Sequence, residues 1–200
     1  MSRELQYRVL EVLEKALGRR VYPGPTPDWL LRPGRLDCGP RWRLIRAIYR
    51  DLSDGMDLPD VMPVREWREV DGIVGGRGAP HRIVEVDESQ HFNEFRARTL
   101  SNYPRDVSLG YPKAVWLAES RRRRAKGGGG WAKPKPPLFP MEGGRHRQRA
   151  FRDALADILA SSHGFAPTLR IADFEVQPWL WDRRGAIVRL GALVEERLAS

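Results

Sequence analysis

The chain has 200 residues, 41% of them hydrophobic and 30% charged, which suits one core with elaborations and is too short for two ordinary domains. No apolar run approaches the roughly 20 residues of a membrane span, which excludes a transmembrane reading; the single cysteine, Cys38, excludes an internal disulfide and a cysteine-cluster zinc site. With 35 Lys and Arg against 26 Asp and Glu, a formal charge of +9, the balance points to a polyanionic partner, of which nucleic acid is the commonest.

The opening Met-Ser-Arg-Glu runs into a charged amphipathic stretch instead of a secretory signal, so the expected location is the cytoplasm. Leu5, Val9, Val12, Leu13, Ala16 and Leu17 recur at helical spacing with Glu4, Arg8, Glu11 and Lys15 opposite, predicting a helix that ends near Gly18. Prolines and glycines break residues 19–40 into an irregular surface segment. A second helix is predicted over Trp42–Leu52, its stripe formed by Leu44, Ile45, Ile48, Tyr49 and Leu52. Val64–Val74 and His81–Asp87 are rich in Val, Ile and Trp and are separated by Gly75-Gly76 and Gly78, the pattern of a β-hairpin.

Glu94–Asn102 suits a short helix stopping before Tyr103-Pro104, and Ala114–Ala118 a short strand. Residues 121–144 read as a basic Gly/Pro-rich loop: Arg121 to Lys135 holds seven basic residues and no acidic one. A helix over Arg145–Ser162, a strand over Thr168–Val176 and a helix over Ala186–Ala199 complete a single α/β domain, a small mixed β-sheet flanked by helices. Trp67, Trp116, Trp179 and Trp181 read as core.

The chemistry concentrates in Glu69-Val70-Asp71-Gly72-Ile73-Val74 and Ile83-Val84-Glu85-Val86-Asp87-Glu88-Ser89-Gln90-His91-Phe92. Alternate strand residues share a face, so Glu85 and Asp87 point one way while Val84 and Val86 enter the other layer. If the hairpin pairs Val74 with Arg82, Asp71 joins the same face opposite Glu85; a one-residue slip would remove it. Three converging carboxylates repel unless a hard cation neutralises them, so Asp71, Glu85 and Asp87 are the expected ligands of Mg²⁺ or Mn²⁺. Such an ion stabilises charge on a phosphodiester and activates water, and the basic surface would supply the substrate.

An acid on one strand, then Glu-Val-Asp on the next followed by Gln-His, resembles the PD-(D/E)XK (restriction-endonuclease-like) nuclease superfamily, in particular the branch similar to very-short-patch-repair endonucleases. The resemblance covers roughly residues 64–104. It implies a restriction-endonuclease-like fold, with Asp71 as first acidic ligand, Glu85 as the acid of the second motif and Gln90 and His91 as the trailing polar pair. Asp87 stands where many members have lysine, so the group that orients the attacking water falls to His91, Gln90 or Lys113 from a neighbouring strand. The superfamily often brings a glutamate of its first helix near the metal, which makes Glu11 a weak candidate, although a solvated helix face is the better account of it and of Glu14.

Arg96 and Arg98 on the short helix are candidate grips on the scissile backbone or ordinary surface charge. Arg121, Arg122, Arg123, Arg124, Lys126 and Lys133 with Trp131 supply what a phosphate grip with one stacking aromatic needs, against the alternative of a solubilising loop. The leading expectation is a metal-dependent endonuclease cutting DNA. The alternatives are a catalytically degenerate nucleic-acid-binding module of the same fold and a non-catalytic subunit of a larger assembly.

Overall fold

The computed structural model describes residues 2–24, 26–64, 66, 68–75, 78–123 and 132–199. Helix α1 (Ser2–Leu17) buries Leu5, Val9, Leu10, Val12 and Leu13 on one face and ends at Gly18, whose φ of 59° is the left-handed conformation that closes a helix. The chain then adds strand β1 (Val21–Pro23), short helices α2 (Asp28–Leu31) and α3 (Arg35–Cys38), and helix α4 (Trp42–Leu52). Residues 19–40, expected to be irregular, thus supply an edge strand and two single-turn helices, elements too short to establish a period.

Strand β2 (Gly72–Val74) pairs antiparallel with β1 and with β3 (Arg82–Asp87). Its register is Gly72 to Val84, Ile73 to Ile83 and Val74 to Arg82, the pairing on which the placement of Asp71 depended. The first half of the expected strand over 64–74 is not strand among its described residues: the Thr26 hydroxyl donates to the Arg68 carbonyl and accepts from the Val70 N–H, taking backbone groups a ladder would have used.

Helix α5 (Glu94–Ser101) starts at Asn93, whose side chain accepts from the Arg96 N–H. The run 114–118, expected to be a strand, lies in helix α6 (Lys113–Arg122), which buries Trp116 and Ser120 one turn apart; five apolar residues do not distinguish the two periods. Helix α7 (Gly144–Leu159) leads into β4 (Ala166–Ala172), parallel to β3. The expected continuation of this strand to residue 176 is helix α8 (Asp173–Val176), because the Asp173 and Glu175 carboxylates accept from the Phe174 and Ala172 N–H groups. Helix α9 (Gly185–Ala199) ends the fold.

The sheet order is β1-β2-β3-β4. One face, carrying Val74, Val84, Val86, Leu169 and Ile171, packs on α1 and α9 through Val9, Leu13, Leu190 and Val194. The other face looks toward α4 to α7, where Ile83 joins Ile45, Ile48, Phe151 and Leu155. The result is a mixed four-stranded sheet between helices. Trp116 is fully buried and Trp179 half-buried, whereas Trp181, expected in the core, is 54% exposed; Trp67 lies outside the described residues. No helix among the described residues is long and apolar enough to cross a membrane.

Candidate active site

Strand alternation sends Glu85 and Asp87 toward α7 while Val84 and Val86 fill the α1–α9 layer. The β2–β3 register continues so that Asp71 stands opposite Glu85, and the Asp71 carboxylate accepts from the Val86 N–H at 2.7 Å. Here a cavity of about 480 Å³ opens, with Glu69, Asp71, Glu85, His91 and Asp153 among its lining groups. Its basic lining consists of Arg68, from the segment before β2, and Arg145, Arg149 and Arg152 of α7.

Burial, and then the nearby Glu85 carboxylate, push Asp71 up to about 7, outweighing the Val86 hydrogen bond and His91. Glu85, itself 4% exposed, is bonded to Arg68 at 2.5 Å. Among the described residues, two acids from adjacent strands therefore share a space with a single direct guanidinium bond, from Arg68 to Glu85.

Asp87, expected with them as a ligand, is fully buried and does not line the cavity. Its Oδ1 accepts from Arg170 at 2.8 Å and lies 3.0 Å from His91 Nδ1; its Oδ2 accepts from the Trp116 indole at 2.6 Å. Burial alone would raise its pKa, but Arg170 and His91 hold it at about 2. Arg170 also reaches Asp157 at 2.9 Å and Asp153 at 3.3 Å. Asp157 in turn accepts from Arg96, Tyr103 and Tyr111 at 2.7–2.9 Å. This buried network joins β3, β4, α5, α6 and α7 behind the cavity.

His91 connects the two regions. Its Nδ1 lies between Asp87 and Asp153, at 3.0 and 3.4 Å, and its Nε2 meets the Arg149 guanidinium at 2.6 Å. Burial and Arg149 both disfavour the imidazolium, but Asp87 and Asp153 prevail and raise it to about 9. Ligand atoms of Asp87, His91 and Asp153 all lie within 4.8 Å of one another, a group that could hold a metal ion.

The remaining candidates are dispersed. Gln90 donates to Glu88 and is not among the cavity-lining residues. Arg96, expected on the surface, is 1% exposed because Asp157 and two tyrosines enclose it. Arg98 is forked onto Asp51, and Lys113, on a helix and not a strand, donates to the Tyr103 carbonyl. Glu11 is exposed and held by Arg8 and Lys15 beside a different cavity.

Arg121 is exposed, Arg122 pairs with Glu119, and Arg123 reaches Glu119 and Asp173 while lying over the rings of Phe92 and Phe174. Lys133 is exposed, and its carbonyl accepts from the Arg145 N–H. Arg124, Lys126 and Trp131 lie outside the described residues. Sequence reasoning missed Arg68, Arg145, Arg149, Arg152, Asp153 and Arg170. The spacing of 145, 149 and 152 on one helical face was visible, but not the direction in which that face turns.

Comparison with family models, with curated proteins and with solved structures returns no match.

Proposed function

We propose that the protein is a metal-dependent phosphodiester hydrolase acting on nucleic acid, an endonuclease of the PD-(D/E)XK type with DNA as its substrate. One observation carries the reading: a single cavity at the ends of β2 and β3 combines the facing acids Asp71 and Glu85 with His91 and four arginines. Arginines suit phosphoryl oxygens, acids suit a divalent cation, and the mixture of both in one concave site suits a metal-assisted attack on a phosphate ester. The mixed sheet between helices and the net charge of +9 also support it.

Asp71 and Glu85 would hold the cation. Their fit is testable in the structure itself: Glu85 is one reason the Asp71 carboxyl resists ionisation, and a cation between them would remove that repulsion. When bound, Mg²⁺ or Mn²⁺ would polarise a phosphoryl oxygen and lower the pKa of a coordinated water. Asp87 acts differently, orienting His91 from behind. Nε2 of His91 meets the Arg149 guanidinium, which only donates, so an Nε2–H of the imidazolium would reach a phosphoryl oxygen or the departing oxygen only once substrate draws Arg149 away. The positive charge that the family's lysine would bring to β3 comes here from Arg68, Arg149 and Arg152.

The test is cleavage of supercoiled plasmid, linear duplex, single-stranded DNA and RNA with Mg²⁺ or Mn²⁺, comparing wild type with Asp71→Ala. Cutting that EDTA and Asp71→Ala both abolish is the expected result. A second reading, a binding module without chemistry, draws on the enclosure of Asp87 where a lysine would otherwise stand. It predicts binding by both proteins and cutting by neither.

A further inference from the structure

Helix α7 presents Arg145, Arg149 and Arg152 to the cavity at spacings of four and three residues, so the three share one face. Seven residues of helix span about 10 Å, more than one phosphate group can bridge. The backbone of Lys133 lies beside the helix start, and its exposed side chain adds a further positive charge there. The Arg145 N–H donates to the Lys133 carbonyl at 3.0 Å and the Gly143 N–H to that of Ala132 at 2.8 Å, so the end of the basic 121–135 segment is seated on the N-terminus of α7. That seat is tight: a side chain at Gly144 would meet the Phe139 carbonyl at 2.4 Å and the Lys135 nitrogen at 2.7 Å.

Each arginine has a partner inside the protein, Gln148 for Arg145, His91 for Arg149 and Glu66 for Arg152. Arg152 meets a carboxylate, whereas Gln148 and His91 are not carboxylates, and the stripe gathers three guanidinium groups on one face of the helix. Arg145 carries the mark of this crowding: burial first, then Arg149 and Arg152, hold its pKa below the ordinary guanidinium value.

We infer that α7 is a strand-tracking surface, in which Lys133, Arg145, Arg149 and Arg152 engage successive phosphodiesters of one nucleic-acid strand and lead it across the Asp71–Glu85 cavity. The inference rests on the proposed phosphodiester substrate and extends it. The ligand is a run of several phosphates, not a mononucleotide or a small diester, and residues 132–135 before α7 belong to the same path as the cavity.

The experiment measures binding of fluorescein-labelled oligo-dT and oligo-rU of two, four and eight nucleotides in Ca²⁺ across a salt series, with an oligo-glutamate of matched charge alongside. Wild type, Lys133→Gln, Arg145→Gln and Lys133→Gln/Arg145→Gln are compared, and thermal melts confirm that each is folded; Lys133 is exposed, so its variant keeps the test usable if Arg145→Gln does not fold. Wild-type affinity should climb with length. Each substitution should weaken binding of the longest oligonucleotide several-fold, with the dinucleotide least affected. The slope of log K against log salt should become shallower by about 0.7 for each phosphate that is no longer neutralised.

Equal affinity at all three lengths, unchanged salt slopes in Lys133→Gln and the double variant, or equally tight binding of oligo-glutamate would each overturn the inference. Length-dependent binding that disappears in the variants, from a wild type that cuts nothing, would uphold the stripe and defeat the hydrolase reading. Cutting that depends on Asp71, with no length gain in binding, would do the reverse. Preference between oligo-dT and oligo-rU identifies which strand the surface tracks.

Discussion

Glu85 and Asp87 lie two residues apart on the same face of one strand, yet the structure gives them opposite surroundings. Glu85 opens on a cavity and faces another acid; Asp87 is sealed behind it, both oxygens occupied by Arg170, His91 and the Trp116 indole. The sealed region compensates its charges, and Arg170 alone touches Asp87, Asp153 and Asp157. The open region leaves one carboxyl near neutrality at about 7. Compensated charge fixes geometry; uncompensated charge next to solvent is what a cation or substrate can use.

Removing the central cation of the sealed region should have the largest effect. Arg170→Met leaves three buried carboxylates short of their shared partner and should cost about 3–5 kcal/mol, read as a fall of roughly 10 °C in Tm. A shift of a degree or two would mean that the network contributes little and that the contrast with the cavity is overdrawn.

The next effect is a pH dependence at the junction. His91 is raised from 6.5 to about 9, so its stabilisation is fully present below about pH 6.5 and is lost as pH rises through about 9, on the order of 3 kcal/mol in all. Between pH 7 and pH 10 the denaturant midpoint should fall further for wild type than for His91→Gln. Parallel curves would detach His91 from Asp87 and Asp153.

A pH dependence of the same sign, set at lower pH, should mark the open region. Asp71 is raised from 3.8 to about 7, so the folded protein favours its protonated form; that contribution is present below about pH 3.8 and gone above pH 7. Asp71→Asn should therefore stabilise the metal-free protein by at most about 4 kcal/mol at pH 8 and hardly at all at pH 4, with Mg²⁺ narrowing the difference. Destabilisation at pH 8 would show that Asp71 is compensated after all. Last, Arg98→Gln should shift stability by less than about 1 kcal/mol and leave nucleic-acid affinity unchanged, since its fork is turned onto Asp51 at a partly exposed position.

Long periodic segments were legible. The stripes of α1 and α4 announced their helices, α7 and α9 fall where helices were expected, and the Val-rich run with its flanking glycines announced β3 and its pairing partner. The fate of Asp87 was not legible, because it depends on Arg170 and Trp116, 83 and 29 residues away, and Trp116 itself was assigned to a strand that is a helix. Asp71 and Glu85 could be picked out because they are local to one hairpin. The arginines opposite them come from a different helix and from an irregular segment, whose approach is set by packing and not by spacing. Arg96 illustrates the converse: its charge suggested a surface role, but Asp157, Tyr103 and Tyr111 converge on it from elsewhere in the chain.

The most direct measurement is the rate of single-turnover cleavage as a function of Mn²⁺ concentration for wild type, Glu85→Gln and Asp87→Asn. If Glu85 holds the cation and Asp87 orients His91, Glu85→Gln should lose on the order of 10²–10³ in rate and require far more Mn²⁺, while Asp87→Asn keeps the wild-type Mn²⁺ requirement and is altered in its pH profile. Identical Mn²⁺ curves for the two variants, or a wild-type curve that Glu85→Gln leaves unchanged, would contradict the division of labour between the open acid and the sealed one.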